Sequence, residues 1–361
     1  MTVQAGNALT ARWAAAADAP AVFSGAGVYP LLALLAGVAS GPARDELLAV
    51  APSPLDLPDT DGVRSALGVW TRHDLPLNPA WTAGSQLSGD PAVDQPRLDA
   101  WAAERTGGLI PAMPVAVDED TGVVLASALS VRTEWVQPFD DGILSPAAGP
   151  WSGRRLAGLH RRHAAADALS PLRVLAAPGG PVTLLTVAGR NEIDVRLAIG
   201  AGDAAPGSVL AAGIDGWARS SPSTHGPGVT AEEVDATDPA PELMVSLPSF
   251  DVSASHDLLA EAGLFGLRTA SRDGTFPGIS PVDLVVSSAR QQAVASFTAL
   301  GFRAATVTSL AMHPLAFQPP RTRRLRVTVA FDRPFGFFAV HRPTGLVLVA
   351  GWVTDPTGWR P

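Results

Sequence analysis

The chain closes on a long apolar run, Val329-Ala-Phe-Asp-Arg-Pro-Phe-Gly-Phe-Phe-Ala-Val-His-Arg-Pro-Thr-Gly-Leu-Val-Leu-Val-Ala-Gly-Trp-Val353. Segments 335–340 and 346–353 are apolar at nearly every position, which is typical of strands buried on both faces. Pro343 and Gly345 lie between them and favour a hairpin turn, because one fixes φ and the other permits unusual values. The C-terminal part of the chain is therefore predicted to form a large β-structure.

The composition is that of a globular protein without a nucleic-acid partner. Of the 361 residues, 47% are hydrophobic and 17% are charged, enough apolar surface to bury a large core. The 34 acidic and 26 basic residues give a net charge of −8, without the basic stripe that nucleic acids require. Cysteine is absent, so the chain has no disulfide framework and no thiolate nucleophile.

The N-terminal region predicts neither a targeting segment nor a membrane span. The first residues lack a basic stretch followed by an apolar run, so no signal peptide is expected, and residence in the cytoplasm is predicted. Residues 19–43 carry no charge over a length that can cross a bilayer, but seven Pro and Gly residues interrupt them. We expect a buried strand followed by a core helix there, and no membrane partner.

Apolar periodicity predicts an α+β fold, with helices early and strands late. Helices are predicted at residues 8–17 with Asn7 as N-cap, and at 31–38, 43–50, 96–104 and 256–262, the last closed by Gly263. Strands are predicted at 122–133, 181–187, 194–198, 242–247, 282–287 and 293–298. Segments 200–207 and 220–241 are predicted to be surface loops, since they contain little to bury.

Five blocks in the same order along the chain resemble the serpins, a family of serine protease inhibitors. The blocks are Ala21-Val-Phe-Ser-Gly-Ala-Gly-Val28 with Leu31-Leu-Ala-Leu-Leu-Ala-Gly37; Ala100-Trp101 with Thr106-Gly-Gly-Leu-Ile110; Val123-Val-Leu-Ala-Ser-Ala-Leu-Ser-Val131 with Trp135 and Phe139; Val245-Ser-Leu-Pro-Ser-Phe250 with Leu264-Phe-Gly266; and the C-terminal run. The chain is identified as a divergent, bacterial-type member. Residues 140–243 match only loosely.

The resemblance implies a single serpin-like domain over residues 1–361, with three β-sheets, eight or nine helices and an exposed reactive loop at about 302–324. In serpins a target protease cuts this loop, and the cut loop inserts into the central sheet while the acyl-enzyme persists. The chain is then expected to be an inhibitor and not an enzyme, with no catalytic residue and no cofactor. The implied partner is a serine protease, and the expected state is a monomer.

The resemblance places the hinge of the loop at ten consecutive residues. They are Ala299, Leu300, Gly301, Phe302, Arg303, Ala304, Ala305, Thr306, Val307 and Thr308. Residues that become a central strand must alternate and be small on the inward face. Ala304, Thr306 and Thr308 share one face and fit, and Arg303 lies on the other. The family's shutter, a hydrogen-bonded cluster beneath the sheet opening, maps to Ser24, Ser287 and Gln291.

The usual spacing from Gly301 places the scissile bond at Leu315-Ala316, with Met312 and Phe317 as alternatives. A leucine there suits an apolar primary pocket, so the expected protease is chymotrypsin-like, elastase-like or subtilisin-like.

Three departures from the family motivate an alternative, a non-inhibitory binding or scaffold protein whose loop is cleaved as a substrate or not engaged. Ala299 and Leu300 replace the usual acidic residues, Phe302 replaces a small residue, and Gln291 replaces a histidine. A bulky aromatic at the start of the inserting strand is expected to slow insertion.

Two other clusters have functional and structural interpretations. Arg321, Arg323, Arg324 and Arg326 are either an exosite for an acidic surface or a solvated strand edge, and we favour the edge. His160 and His163 share a helical spacing, but Arg161 and Arg162 lie between them and no third ligand is evident. We therefore expect surface histidines and no metal site.

Overall fold

A computed structural model describes residues 2–16, 22–82, 84–273, 276–302 and 322–360. Within these ranges six α-helices form: α1 (Thr2–Ala16), α2 (Gly25–Val38), α3 (Gly41–Val50), α4 (Pro91–Thr106), α5 (Pro206–Gly216) and α6 (Ala262–Phe265). A 3-10 turn, Trp217–Arg219, follows α5. No helix in these ranges combines the length and the hydropathy of a transmembrane span.

The same ranges contain nineteen strands. They are β1 (Val22–Phe23), β2 (Val63–Arg72), β3 (Ser85–Leu87), β4 (Val123–Val131), β5 (Thr133–Glu134), β6 (Asp140–Leu144), β7 (Leu156–Ala164), β8 (Leu172–Ala177), β9 (Gly180–Ala188), β10 (Ile193–Ile199), β11 (Ser221–Pro222), β12 (Val229–Ala236), β13 (Glu242–Pro248), β14 (Phe250–Asp257), β15 (Arg290–Phe297), β16 (Gly301–Phe302), β17 (Thr322–Ala330), β18 (Phe335–His341) and β19 (Leu346–Val353).

The C-terminal hairpin lies inside a seven-stranded sheet with the order β1-β19-β18-β10-β9-β8-β11. Every residue of β18 and β19 is buried, which confirms the prediction of strands covered on both faces. The first strand and helix also agree with the sequence, since β1 pairs with β19 and α2 follows directly. Helices α1, α2 and α5 contact this sheet and share its hydrophobic core.

Three further sheets complete the α+β fold: a five-stranded sheet, β12-β17-β13-β7-β6; a four-stranded sheet, β14-β15-β16-β5; and a three-stranded sheet, β3-β2-β4. The described part of the chain thus has four sheets and six α-helices, where the resemblance implied three sheets and eight or nine helices. One reason is that the four-stranded and three-stranded sheets are separated by a gap between β4 and β15.

Several local predictions were wrong, each for a physical reason. Residues 256–257 end strand β14, and the helix predicted there is the single turn α6, capped by Gly266 in the left-handed region instead of Gly263. Segment 282–287 pairs with no strand of the described ranges. The loop predicted at 220–241 contains β12, an edge strand in which Glu232 and Asp235 lie opposite Arg326 and Arg323 of β17.

Helix α1 begins at Thr2, so Asn7 is not its N-cap. The Asn7 side chain instead donates to the Gly345 carbonyl (3.0 Å) and accepts from the Val347 amide (2.9 Å), which joins α1 to the C-terminal hairpin.

Candidate functional site

The candidate site is a cleft between β4 and β15. Strand β4 pairs with β2 on one edge, and β15 pairs with β14 on one edge. Within the described residues no ladder joins the two facing edges, and a cavity lined by Leu125 and Ser127 of β4 and by Gln291 and Ala293 of β15 lies between them. A second cavity continues the cleft toward Val285. Helix α2 contributes Val28 and Leu31 to both cavities, so it forms the floor.

The upper end of the cleft is already filled by the two-residue strand β16. Its residues pair with β15 through Phe297 and Phe302, and with β5 through Gly301–Glu134 and Phe302–Thr133, antiparallel on both sides. Because β5 continues β4 after one residue, the two walls of the cleft run parallel, and a strand between them must oppose both. Strand β16 thus occupies the position that a strand between the two walls would take.

Gly301 is required by the close approach of β16 to β5. A Cβ atom added at this position would lie 2.3 Å from the Thr133 carbonyl oxygen, a distance that no side chain tolerates. The turn before it is fixed by three backbone bonds, from Trp135 N to Leu300 O (3.0 Å), from Phe139 N to Ala299 O (2.9 Å) and from Thr298 N to Gly301 O (2.9 Å). The structure therefore explains a glycine at the predicted hinge position.

Phe302 is buried, with 1% of its surface exposed. Its ring lies 6.2 Å from that of Phe337 in the seven-stranded sheet below. The same layer contains Phe297, whose ring centroid lies 4.5 Å from that of Trp135 and 5.5 Å from that of Phe250. The bulky residue that departs from the family at this position is thus packed in an aromatic layer beneath the cleft. Hinge residues 303–308 lie outside the described residues.

The base of the cleft is held by a group of hydrogen bonds that we call the base clasp, formed by Ser24, Gly27, Ser127 and Gln291. The Ser24 amide donates to Gln291 Oε1 (2.9 Å), and Gln291 Nε2 donates to the Ser24 carbonyl (2.8 Å). Ser127 Oγ donates to the Gly27 carbonyl. The first turn of α2 therefore contacts both walls of the cleft, β15 through Gln291 and β4 through Ser127.

Two of the three predicted shutter residues are brought together, and the third is not. Ser24 caps α2 by accepting from the Gly27 amide (2.8 Å), and its hydroxyl donates to the Leu348 carbonyl (2.5 Å). Ser287 is exposed and lies before β15, outside the base clasp. The sequence analysis did not name Ser127 as a residue of this cluster. The available signal was a lone pattern, a serine between apolar residues of the predicted strand 122–133.

The predicted reactive bond, Leu315-Ala316, and its alternatives Met312 and Phe317 lie outside the described residues, as does Arg321.

The rest of the arginine cluster surrounds one carboxylate. Glu242, at the start of β13, is fully buried, and its oxygens accept from Arg326 Nε (2.6 Å), Arg324 Nη1 (3.4 Å) and Arg162 Nε. Burial alone would raise the pKa of Glu242, but the hydrogen bonds from Arg326 and Arg162 outweigh it and hold the pKa below its usual value. Arg323 pairs with Glu233 (3.3 Å). The prediction of a solvated strand edge was wrong, because β17 lies between β12 and β13 and Arg324 is buried. The described arginines of the cluster are instead paired with carboxylates of the same sheet.

His160 and His163 lie on strand β7 and not on a helix, so the premise of a shared helical face was wrong. An odd separation along a strand places their side chains on opposite faces. His160 Nδ1 lies 3.1 Å from Ser246 Oγ. Within the described ranges no group of three or more ligand side chains is placed to hold a metal ion.

Comparisons with known proteins agree with this geometry. The family model described as "serpin (serine protease inhibitor)" matches residues 230–356. Serpin-Z2A of Oryza sativa subsp. japonica is 26% identical over 404 aligned residues, which cover 93% of this chain and 91% of the relative. An uncharacterised serpin-like protein of Pyrobaculum aerophilum is 25% identical over an alignment that covers 94% of this chain and 90% of the relative.

The fold agrees as well. The structure of human thyroxine-binding globulin with thyroxine superimposes with a TM-score of 0.72 at 16% identity, covering 99% of this chain and 98% of that one. The named relatives come from a plant and an archaeon, so the bacterial-type assignment stays a prediction. Protease inhibition is the general function of the family that these matches indicate. The ordered sequence blocks, the cleft with β16 between its walls, the family-model match and the full-length relatives together support the assignment of the chain to the serpin family.

Proposed function

We propose that the protein inhibits a serine endopeptidase as a suicide substrate. The protease serine attacks the carbonyl carbon of Leu315, its hydroxyl proton passes to the protease base, and the peptide bond to Ala316 breaks. The new amino group of Ala316 leaves with that proton, and an ester joins Leu315 to the protease. Insertion of the freed loop into the cleft then moves the protease with it, so that the catalytic groups of the protease can no longer direct water onto the ester. Inhibition is a kinetic trap of this ester.

The observation that carries the proposal is strand β16. It is the start of a strand between the two parallel walls, and the cleft below it continues between β4 and β15. The hinge enters the top of this cleft, because Gly301 and Phe302 lie between its walls. The segment that contains the proposed bond follows Phe302 in the sequence. A strand that is to be inserted therefore already has its starting position and its direction.

The loop sequence supports insertion beyond Phe302. Since alternate residues of a strand face the same side, Ala304, Thr306 and Thr308 would follow the buried Phe302 onto the inward face. These side chains are small and uncharged. Arg303 would lie on the outer face in contact with water. The pattern meets the steric demand of a central strand.

The alternative is a serpin-fold binding or scaffold protein that traps no protease. It is favoured by the absence of acidic residues at Ala299 and Leu300, and by the similarity in fold to a thyroxine-binding protein, a member of the fold named for a small ligand. In that case the loop is a surface feature or an ordinary substrate, and cleavage leaves no covalent product.

A protease panel separates the two functions. The protein is mixed with chymotrypsin, pancreatic elastase and subtilisin, and the products are resolved by denaturing electrophoresis and mass spectrometry. We expect a complex that survives denaturation, with the loop cut after Leu315. Cleavage of the loop by every protease of the panel without any such complex contradicts the inhibitor proposal and favours the alternative.

A further inference from the structure

The hinge of the uncut chain is already part of a sheet, which the sequence alone did not indicate. Gly301 and Phe302 both pair with β5, and Phe302 also pairs with β15, before any bond is broken. Only two residues make these ladder contacts, so backbone pairing by itself offers a small stabilisation. The backbone bonds from Trp135 and Phe139 hold the turn before Gly301, and a further contact is needed to hold the residue that follows it.

The side chain of Phe302 is the group that can do so. Gly301 has no side chain, and the hinge residues before it form a turn. Phe302 is 1% exposed and packs against Phe337 of the sheet below. A buried aromatic ring removes more apolar surface from water than any other contact of the hinge. Expelling the hinge would expose this ring and leave a cavity in the aromatic layer.

We infer that Phe302 is an anchor that keeps the first rung of the inserting strand in the cleft of the uncut protein. The residue is a positioning residue, since it contacts neither the protease nor the bond that is cut. The anchor is a property of the fold. Its consequence for inhibition rests on the proposed function.

That consequence concerns how insertion starts. A hinge that lies outside the sheet must first find the cleft and close a loop before it gains any pairing. A hinge held by Phe302 only has to extend an existing strand. Because insertion competes with hydrolysis of the ester, an earlier start increases the fraction of protease that is trapped. The aromatic residue that was expected to slow insertion is thus placed to promote it.

The anchor is tested by hydrogen exchange on the full chain, without a protease. Phe302→Ala is compared with the unchanged protein in peptides that cover residues 296–302 and 132–136. We expect both peptides to exchange roughly tenfold faster in the variant, the factor that corresponds to about 1.4 kcal/mol of local stability. Peptides of β19, which does not contain Phe337, should keep their rates. Equal hinge rates in the two proteins, or an unprotected hinge in the unchanged protein, overturn the anchor.

Two further variants guard against a general loss of stability. Phe265→Leu is the matched control, because Phe265 is also 1% exposed but packs on Trp13 of α1 (4.9 Å). Phe302→Leu replaces Phe302→Ala if the latter does not fold. We expect faster hinge exchange in Phe302→Leu and an unchanged hinge in Phe265→Leu. The same acceleration in both leucine variants overturns the anchor.

The inhibitory consequence has its own readout, the moles of inhibitor consumed per mole of protease inactivated. We expect this ratio to rise severalfold in the Phe302 variant and to stay unchanged in Phe265→Leu. If the unchanged protein traps no protease, the proposed function fails, and hydrogen exchange still decides whether Phe302 is an anchor. If it traps protease and the Phe302 variant does so with the same ratio, the role in starting insertion is wrong.

Discussion

Gln291 and Ser24 exchange two hydrogen bonds at the base of the cleft, one in each direction. The carboxamide accepts from the Ser24 amide at 2.9 Å and donates to the Ser24 carbonyl at 2.8 Å. A carboxamide offers a donor and an acceptor at every physiological pH, because it does not titrate. The base clasp therefore joins β15 to helix α2 by a contact that is independent of pH.

Replacement of Gln291 by alanine is expected to lower the free energy of unfolding by about 1–3 kcal/mol, since the partly buried amide and carbonyl of Ser24 lose their partner. Urea titration followed by circular dichroism measures the change. Gln292→Ala is the matched control, because the neighbouring residue lies on the other face of β15. Equal losses in both variants would mean that the bonds of the base clasp contribute nothing specific.

Glu242→Gln is expected to lower the free energy of unfolding by about 3 kcal/mol at neutral pH, because three guanidinium groups lose a buried anionic partner. The pKa of Glu242 is depressed in the folded protein, so its ionised form stabilises the fold above about pH 4.3, the unfolded value. This contribution is lost as the pH falls through the folded pKa. The difference between the two proteins should thus shrink in acid, as measured by urea titration from pH 7 to pH 3.

The control for Glu242 is Glu232→Gln. Glu232 also pairs with Arg326, at 3.7 Å, but its side chain is 65% exposed. Exposed ion pairs contribute less than about 1 kcal/mol, so we expect a small and nearly pH-independent effect. A difference for Glu242→Gln that stays constant down to pH 3 would contradict the assignment of Glu242 as the ionised centre of the cluster.

Thr306→Arg is expected to abolish protease trapping and to leave cleavage intact. Position 306 shares the inward face of the inserting strand with Phe302, and a buried guanidinium without a partner opposes insertion. Val307→Arg, with the same charge on the outward face, should still trap. After cleavage, the melting temperature should rise in the unchanged protein and in Val307→Arg, but not in Thr306→Arg. Identical behaviour of the two arginine variants would argue against insertion in this register.

Leu315→Arg is expected to redirect the inhibitor toward trypsin, because a cationic residue before the scissile bond suits an acidic primary pocket and no longer suits an apolar one. Rate constants for inhibition of chymotrypsin and trypsin measure the change, and Met312→Arg is the matched control. If Met312→Arg and not Leu315→Arg produces the switch, the reactive bond lies three residues earlier.

Elements with strong local signals could be predicted from the sequence. The C-terminal hairpin is apolar on both faces, and only a position inside a sheet satisfies such a run. Helix α2 was recognised from its apolar core, although it begins at Gly25, earlier than predicted, because Ser24 caps it through the Gly27 amide. The prediction for 256–262 failed because alternation through Phe250–Asp257 has the period of a strand, and the pattern was assigned to a helix that is only one turn long.

Features that depend on contacts between distant segments could not be predicted. Strand β12 is rich in Glu and Asp and resembles a loop until Arg326 and Arg323 of β17 are placed opposite Glu232 and Asp235. The apolar segment 282–287 resembles a strand, but it has no partner strand in the part of the chain that the structure describes, and Val282 and Val285 are half-exposed. Likewise, the sequence places Phe302 at the hinge, but only the aromatic layer beneath the cleft shows where its ring is buried.

The buried carboxylate of Glu242 has a mechanical consequence for the loop. Strand β17 starts directly after the loop, and Arg324 and Arg326 fasten it at that end, whereas the other end of the loop is already threaded into the cleft through Phe302. The two described residues that flank the loop, Phe302 and Thr322, are therefore both held in sheets. In the proposed mechanism, further insertion of the hinge would pull against the fixed end at β17 for as long as the loop is uncut. Cleavage would free the hinge side alone, so the proposed insertion could proceed only after the cut and only from that side.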